Sequence, residues 1–255
     1  MRADGRAPDA LRPMGLELSP LTWAEGSCLI TVGRTRVLCA ASVEDGVPRF
    51  RRGSGLGWVT AEYGMLPRAT RTRSPREAGR GRPAGRTMEI QRLVGRALRC
   101  VVDMKALGER TVLLDCDVLD ADGGTRTAAV TGAFVALVQA VGWLRARSAL
   151  AGPILTEVLA GVSVGMVEGQ ACLDLDFAED TRAEADMNLV FTASGRVVEV
   201  QGTGEQGPMD PRHFHEMMVL GERGARRICA QVRSALGETL EVAVRAPRRG
   251  DGESG

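Results

Sequence analysis

The chain has 255 residues, of which 44% are hydrophobic, and its formal net charge is +1. This length and composition are enough for a sizeable core and exclude a wholly disordered chain. No apolar run approaches the roughly 18 residues of a membrane-spanning helix, and the charged N-terminus lacks the apolar core of a secretion signal. We therefore expect no membrane association and a cytoplasmic location.

The chain has six cysteines and two histidines, which limits the chemistry open to it. No two cysteines form a CxxC pair and all lie in apolar runs, so we expect buried free thiols and not zinc ligands or disulfides. The histidines, His213 and His215, are too few for a histidine-rich metal site, and we expect them only to begin a helix.

The first half of the chain is predicted to form strands, then a loop, then helix, strand and helix. Short apolar runs predict strands at residues 16–23, 27–32, 36–42 and 57–63, with a hairpin turn at 33–35. Residues 67–85 lack an apolar stripe and are expected to form an exposed loop. Helical spacing follows at 87–105, a strand at 110–119, a tight turn at 120–124 and a buried helix at 127–144.

The second half of the chain is predicted to repeat this order. Two hairpins are expected, at 157–167 with 171–177 and at 186–192 with 196–201, followed by a helix at 211–236. We therefore predict an α+β fold. A single domain spans residues 1–246, with two pseudo-repeated strand-and-helix halves of about 1–150 and 151–246. Residues 247–255 form a flexible tail.

The turn Asp122-Gly-Gly-Thr-Arg-Thr127 precedes the buried helix and has the features of a phosphate site. Glycines let the backbone approach a ligand closely, and a helix N-terminus offers free N–H groups with partial positive charge. Thr125 adds a hydroxyl and Arg126 a planar bidentate donor. Arg86, at the start of another helix, could complete a phosphate clamp. A plain turn with a threonine cap is the alternative.

An acidic segment joins two strands of the second half and contains six carboxylates, namely Asp174, Asp176, Glu179, Asp180, Glu184 and Asp186. Carboxylates that converge at a strand end commonly hold Mg²⁺ or act as a general acid. A solvated acidic loop would have the same composition. A carboxylate site beside a phosphate clamp, however, is what phosphoryl transfer requires.

Arginine is concentrated in residues 49–86, which contain ten arginines and two acids. Such local basicity indicates a polyanion partner. Spaced arginines without interleaved aromatics, as at Arg68, Arg73 and Arg76, are typical of contacts with an RNA backbone, although a solvated charged loop is the alternative. Trp58 and Tyr63 flank a strand and are expected in the core.

Several long motifs resemble those of the ribonuclease PH family, and the resemblance covers the chain from Arg2 to about Leu240. They include LRP near the start, GWVTAEYGMLPRAT at 57–70, GRTMEIQRLVGRALR at 85–99, DADGGTRTAAVTGAFVAL at 120–137, FAEDTRAEADMN at 177–188 and VEVQGT at 198–203. Departures are modest: Arg71 stands where a histidine is expected, and the link after VEVQGT is longer and less apolar.

This resemblance implies a ribonuclease PH-type, ring-forming fold, and a homohexamer built as a trimer of dimers. It implies a phosphorolytic 3′→5′ exoribonuclease that trims the 3′ trailers of tRNA precursors, consuming inorganic phosphate and releasing nucleoside 5′-diphosphates. Phosphate would be bound by Arg86, Gly124, Thr125 and Arg126. Asp180 and Asp186 would act in catalysis and hold Mg²⁺ or Mn²⁺, and Arg126 would also serve in catalysis. The arginine loop, with Arg68, Arg73 and Arg76, would contact RNA.

Two other functions have to be weighed against this one. A non-catalytic ring subunit that only binds RNA would not need Arg86, the GGTRT turn and both aspartates. A hydrolytic, metal-dependent ribonuclease would need clustered carboxylate metal sites and no phosphate clamp, and it would release monophosphates. Polynucleotide phosphorylase is excluded by length, since that family fuses two such cores.

Overall fold

Nine strands form two sheets in the computed structural model, which describes residues 2–81, 83–147 and 152–244. The first sheet has the order β1-β2-β3-β5-β4, and only β4 runs parallel to its neighbour, β5. Its strands are β1 (Met14–Leu18), β2 (Gly26–Val32), β3 (Thr35–Asp45), β4 (Trp58–Met65) and β5 (Arg110–Asp120).

The second sheet is antiparallel throughout and has the order β7-β6-β8-β9. Its strands are β6 (Leu159–Val167), β7 (Gln170–Leu173), β8 (Ala185–Thr192) and β9 (Val197–Gly204). The α-helices of the described residues are α1 (Gly85–Arg99), α2 (Met104–Leu107), α3 (Thr125–Arg147), α4 (Phe177–Asp180), α5 (Pro211–Leu236) and α6 (Glu238–Ala243).

Helix α3 lies between the two sheets and joins them in one core. It packs on β2 and β3 of the first sheet and on β6 and β8 of the second, while α1 covers β4 and α5 covers β6, β7 and β8. Small residues allow this close approach: a Cβ atom at Gly161 of β6 would lie 2.8 Å from the carbonyl oxygen of Thr127. The first turn of α3 is therefore pressed against the second sheet.

Helix α3 has 23 residues and a mean hydropathy of 1.6 in its most apolar window, so by length and composition it could cross a membrane. Most of its apolar window, 83%, is buried inside the protein, as in the core helix of a globular fold. The apolar surface of α3 is thus used for packing.

The α+β fold is as predicted, and several element ends differ from the prediction. Strand β1 ends at Leu18, five residues early, because Ser19 has a positive φ of 54°. Helix α1 ends at Arg99, since Asp103 caps α2 by accepting hydrogen bonds from the N–H groups of Lys105 and Ala106. Strand β7 ends at Leu173, where Asp174 turns the chain with a φ of 54°.

Two predicted side-chain positions are wrong. Trp58 was expected in the core and is only half-buried. Cys100 was expected to be buried and is exposed, whereas the other five cysteines are buried free thiols as predicted. The predicted flexible tail, 247–255, lies outside the described residues.

Candidate active site

The predicted phosphate turn connects β5 to α3 and has an unusual backbone. Gly123 and Gly124 have positive φ angles of 77° and 65°, a conformation that side-chain-bearing residues rarely adopt. The hydroxyl of Thr35 holds the turn, accepting a hydrogen bond from the N–H of Asp122 at 2.9 Å and donating one to the carbonyl of Gly123 at 2.7 Å. The turn is thus fixed to the β2–β3 hairpin.

Thr125 and Arg126 follow this turn in the first turn of α3, where the helix leaves N–H groups without intrahelical partners. The phenolic hydroxyl of Tyr63 donates a hydrogen bond to Thr125 Oγ1 at 3.0 Å. The proton of Thr125 is therefore left free for an anion. Tyr63 was predicted only as a core residue; it is buried, but its hydroxyl belongs to this site.

Arg86 and Arg126 lie on two helix N-termini that face each other. Arg86 is the second residue of α1, and Arg126 lies 3.9 Å from Glu89, which is one turn further along α1. Burial raises the pKa of Tyr63, and the charges of Arg86 and Arg126 oppose this shift, so both guanidinium groups lie near the phenol. The structure thus brings together the two arginines that were predicted to form a phosphate clamp.

The predicted pair Asp180 and Asp186 lies beside these arginines. Asp180 ends α4 and Asp186 is the second residue of β8. Burial raises the pKa of Asp180, and the charges of Arg126 and Arg86 oppose the shift. Burial and the charge of Asp180 raise the pKa of Asp186 to about 6. Two carboxylates and two guanidinium groups therefore share one site.

Glu205 is a third carboxylate of this site that the sequence analysis missed. It follows β9, and its backbone N–H donates to the carbonyl of Glu184 at 2.9 Å. Its charge contributes to the raised pKa of both Asp180 and Asp186. No local pattern marks it, because only the β8–β9 hairpin, in which Asp186 pairs with Thr203, brings it next to Asp186.

Of the six carboxylates in the acidic segment, the four others do not converge on the site. Asp174 forms a buried ion pair with Arg12, with 2.7 Å between Oδ1 and Nη2. Asp176 caps α4 in a capping box with Glu179. Glu184 accepts a hydrogen bond from the N–H of Gly169 at 2.9 Å. These four carboxylates stabilise the fold locally. Of the six, only Asp180 and Asp186 lie near Arg86 and Arg126.

The arginine loop begins next to the phosphate turn. The N–H of Ala121 donates to the carbonyl of Ala69 at 2.8 Å, so the start of the loop is tied to the residue before Asp122. Arg68, which precedes Ala69, and Arg73 and Arg76 further along the loop are exposed. This placement allows the three side chains to meet a polyanion that enters the site. The histidines His213 and His215 lie in the first turns of α5, as predicted.

The pair Asp180 and Asp186 has the donor chemistry that suits Mg²⁺ or Mn²⁺. Carboxylate oxygens are the preferred ligands of such hard cations, and Mg²⁺ typically takes one or two carboxylates and completes its shell with water and substrate phosphate. Within residues 2–81, 83–147 and 152–244, no three Asp, Glu, His or Cys side chains form a closed metal cage. The open pair of carboxylates beside the predicted phosphate clamp therefore fits the group.

The sequence and the fold match known proteins along nearly the whole chain. The model of the 3′ exoribonuclease family, domain 1, matches residues 10–141, and that of domain 2 matches residues 157–224. Ribonuclease PH of Bacillus velezensis is 52% identical over 241 residues, which are 94% of this chain and 98% of that protein.

Solved structures with little sequence similarity share the fold. Rice Rrp46 superposes with a TM-score of 0.75 at 22% identity, over 92% of this chain and 100% of that one. A chain of the Archaeoglobus fulgidus exosome, solved with RNA bound to its active site, gives 0.77 at 22% identity, over 90% and 92%. From these matches and the site geometry, the chain belongs to the 3′ exoribonuclease family, the ribonuclease PH family that its motifs predicted.

Proposed function

We propose that Arg86, Thr125, Arg126 and the N-terminus of α3 bind inorganic phosphate, and that this phosphate cleaves RNA from its 3′ end. As a member of its family the chain is a phosphate-dependent 3′→5′ exoribonuclease, a tRNA nucleotidyltransferase that trims tRNA precursors. The observation that carries the proposal is the placement of two arginines, at two helix N-termini, opposite the carboxylates of Asp180 and Asp186.

The phosphate is held by donors that are already in place. The guanidinium groups are bidentate donors for its oxygens, and Thr125 offers its hydroxyl proton because Tyr63 already donates to its oxygen. The positive φ of Gly124 opens the backbone at the start of α3, where free N–H groups meet the anion. The phosphate therefore binds in one orientation before RNA arrives.

One oxygen of the bound phosphate attacks the phosphorus of the last internucleotide bond, in line with the 3′ oxygen that leaves. A P–O bond to phosphate forms and the P–O3′ bond breaks, giving a nucleoside 5′-diphosphate and an RNA shorter by one residue. Because the two bonds are similar in energy, nucleoside diphosphates should also extend RNA. Two effects supply most of the catalysis: the positioning of the phosphate against the RNA, and the stabilisation of charge on the phosphoryl oxygens. Arg126 contributes to the stabilisation of charge.

Asp180 and Asp186 would hold a Mg²⁺ or Mn²⁺ ion, which supplies positive charge for the phosphoryl oxygens when it is bound. The other role open to these carboxyls is protonation of the leaving 3′ oxygen. A carboxyl with a raised pKa, such as that of Asp186, suits a general acid. The two roles differ in a simple test, because only the first makes both aspartates necessary for binding Mn²⁺ in the absence of RNA.

We also propose that the exposed arginine loop contacts the RNA backbone, that the protein forms a homohexamer as a trimer of dimers, and that it works in the cytoplasm. The loop supports RNA contact because its start is tied to the phosphate turn through Ala69 and Ala121. The hexamer and the location are what family membership implies. Sedimentation at sixfold the chain mass would support the hexamer, and a stable monomer or dimer would contradict it.

The decisive experiment is to incubate the purified protein and Mg²⁺ with a 3′-extended tRNA, with and without inorganic phosphate. Phosphate-dependent release of nucleoside diphosphates is expected. Release of monophosphates without phosphate would mean hydrolysis, and the phosphate roles of Arg86 and Arg126 would be wrong. Binding of the tRNA without trimming would support a non-catalytic subunit instead.

A further inference from the structure

Residues 2–13, here the N-terminal strap, precede β1 and carry three arginines whose side chains turn inward. The side chains of Arg2 and Arg12 are 4% and 5% exposed, and that of Arg6 is 12% exposed. Lysine and arginine are rarely buried so deeply, because removing a charge from water is costly unless it is paired and hydrogen-bonded.

Arg12 joins the phosphate turn to the second half of the chain. Its Nη1 donates to the carbonyl of Asp122 at 2.6 Å, and Nη2 lies 3.5 Å from the carbonyl of Gly123. Through Nη2 and Nε the same guanidinium binds both carboxylate oxygens of Asp174, at 2.7 and 3.1 Å. Arg12 therefore fixes the backbone that leads into Gly124 and Thr125.

Arg2 performs a parallel task beside Asp180. Its Nε and Nη2 donate to the two carboxylate oxygens of Glu179, each at 2.7 Å, and its Nη1 donates to the carbonyl of Leu173 at 2.8 Å. Glu179 is 2% exposed and immediately precedes Asp180 in α4. Since α4 is only one turn long, Glu179 anchors it beyond the capping box with Asp176, through this ion pair and a longer one with Arg6 Nη2 at 3.4 Å.

We propose that Arg2 and Arg12 are positioning residues for phosphorolysis, each acting on a different part of the active site. Arg12 holds the phosphate turn, so it acts on phosphate binding. Arg2 holds α4 through Glu179, so it acts on the placement of Asp180. The inference rests on the proposed function, because it assigns the strap to the phosphate site and the carboxylate described there.

Two conservative substitutions test whether Arg12 and Arg2 act on these two different parts of the site. Arg12→Lys and Arg2→Lys keep the positive charge, so no buried carboxylate loses its countercharge, but an ammonium group cannot bind a carboxylate and backbone carbonyls in the same planar geometry. Arg226→Lys is the matched control, because Arg226 forms an ion pair with Glu222 at 2.8 Å on the surface of α5. The three variants and the wild type are assayed for phosphate-dependent trimming of tRNA, well below their melting temperatures.

Different kinetic parameters are expected to change in the two strap variants. Arg12→Lys should raise the KM for phosphate about tenfold and reduce the rise in Tm that phosphate produces in the wild type. Arg2→Lys should lower kcat about tenfold to a hundredfold, the scale on which a displacement of about 1 Å affects rate, with an unchanged KM for phosphate. Glu179→Gln should lower kcat likewise, and combining it with Arg2→Lys should add little further loss.

The inference would be overturned if both strap variants matched Arg226→Lys, or if they lost kcat equally with no change in the KM for phosphate. The second result is what a merely structural role would give, since partial unfolding removes active enzyme without changing the affinity of the remainder. Failure of the proposed function would look different, because the wild type itself would then show no phosphate-dependent trimming.

Discussion

Gly123 of the phosphate turn lies directly against the backbone of Asp176, the residue that caps α4. A Cβ atom at Gly123 would be 2.6 Å from the carbonyl carbon of Asp176, a distance that real Cβ atoms essentially never show. The turn that leads to Thr125 and the helix that ends at Asp180 are therefore in contact through backbone alone. This contact limits the separation between the turn and the carboxylate of Asp180.

Gly123→Ala should consequently damage catalysis more than stability. The methyl group would force the turn and α4 apart, and trimming of tRNA should fall by about a hundredfold, as is typical for misplacement of about 1 Å. Gly53→Ala is the matched control, since Gly53 has a similar φ of 75° with nothing within 4 Å of an added Cβ. Both variants carry the cost of a left-handed alanine, so similar activity in the two would contradict the argument.

The hydrogen bond from Tyr63 to Thr125 predicts a small and specific defect in Tyr63→Phe. Without the phenolic hydroxyl, nothing donates a hydrogen bond to Thr125 Oγ1 from this side, so the Thr125 hydroxyl proton is no longer directed toward the phosphate. One hydrogen bond contributes about 0.5–1.5 kcal/mol, so the KM for phosphate should rise about two- to tenfold with little loss of kcat. Steady-state kinetics at varied phosphate concentration would measure this change. An unchanged KM for phosphate would show that the Tyr63 hydroxyl does not support phosphate binding.

Arg126→Ala tests the phosphate clamp itself. Removal of a preorganised donor that stabilises transition-state charge typically costs about 2.7–4 kcal/mol, so kcat/KM for phosphate should fall by roughly a hundred- to a thousandfold. Arg233→Ala, at an exposed position of α5, is the control for loss of a positive charge. Activity of Arg126→Ala within about twofold of the wild type would show that the clamp is wrongly assigned.

Local sequence patterns predicted several residues that the structure brings together at the candidate site. The Gly-Gly-Thr-Arg turn, the start of α1 at Arg86 and the pair Asp180 and Asp186 each lie in a short segment whose residue types suit their chemistry. The ends of β1 and α1 were less predictable, because a positive φ at Ser19 and the cap at Asp103 interrupted otherwise continuous patterns.

The remaining residues of the site depend on contacts between distant segments, which no local pattern reveals. Tyr63 looked like a core aromatic because its strand is buried, and only the pairing of β4 with β5 places its hydroxyl at Thr125. Arg12 lies 162 positions from Asp174, its main partner. Composition alone likewise did not separate Glu179, which anchors α4, from its neighbour Asp180.

The exposed arginine loop predicts how binding of tRNA depends on salt. Each arginine that neutralises a phosphate of single-stranded RNA contributes a slope of about −0.7 to the dependence of log affinity on log salt. Replacing Arg73 and Arg76 together by glutamine should raise the KM for tRNA. It should also make this slope less steep by more than about 0.7, which is the contribution of one arginine. The KM for phosphate should stay constant. An unchanged slope would mean that the loop does not touch RNA.

The raised pKa of Asp186 predicts that this residue increasingly destabilises the metal-free protein as the pH rises from about 4 to about 6. An unfolded aspartate has a pKa of about 3.9, whereas burial and the charge of Asp180 raise that of Asp186 to about 6 in the fold. The unfolded state therefore loses its proton first as pH rises, and stability falls between these two values. Above pH 6 both states are ionised, and the loss remains constant.

Asp186→Asn should remove this penalty while it keeps the oxygen that accepts a hydrogen bond from Asn188. In EDTA, the Tm of the variant should exceed that of the wild type, and the difference should be larger at pH 8 than at pH 5. Asp9→Asn, at an exposed position of the N-terminal strap, should show no such change with pH. An equal difference in Tm at both pH values would mean that Asp186 ionises normally.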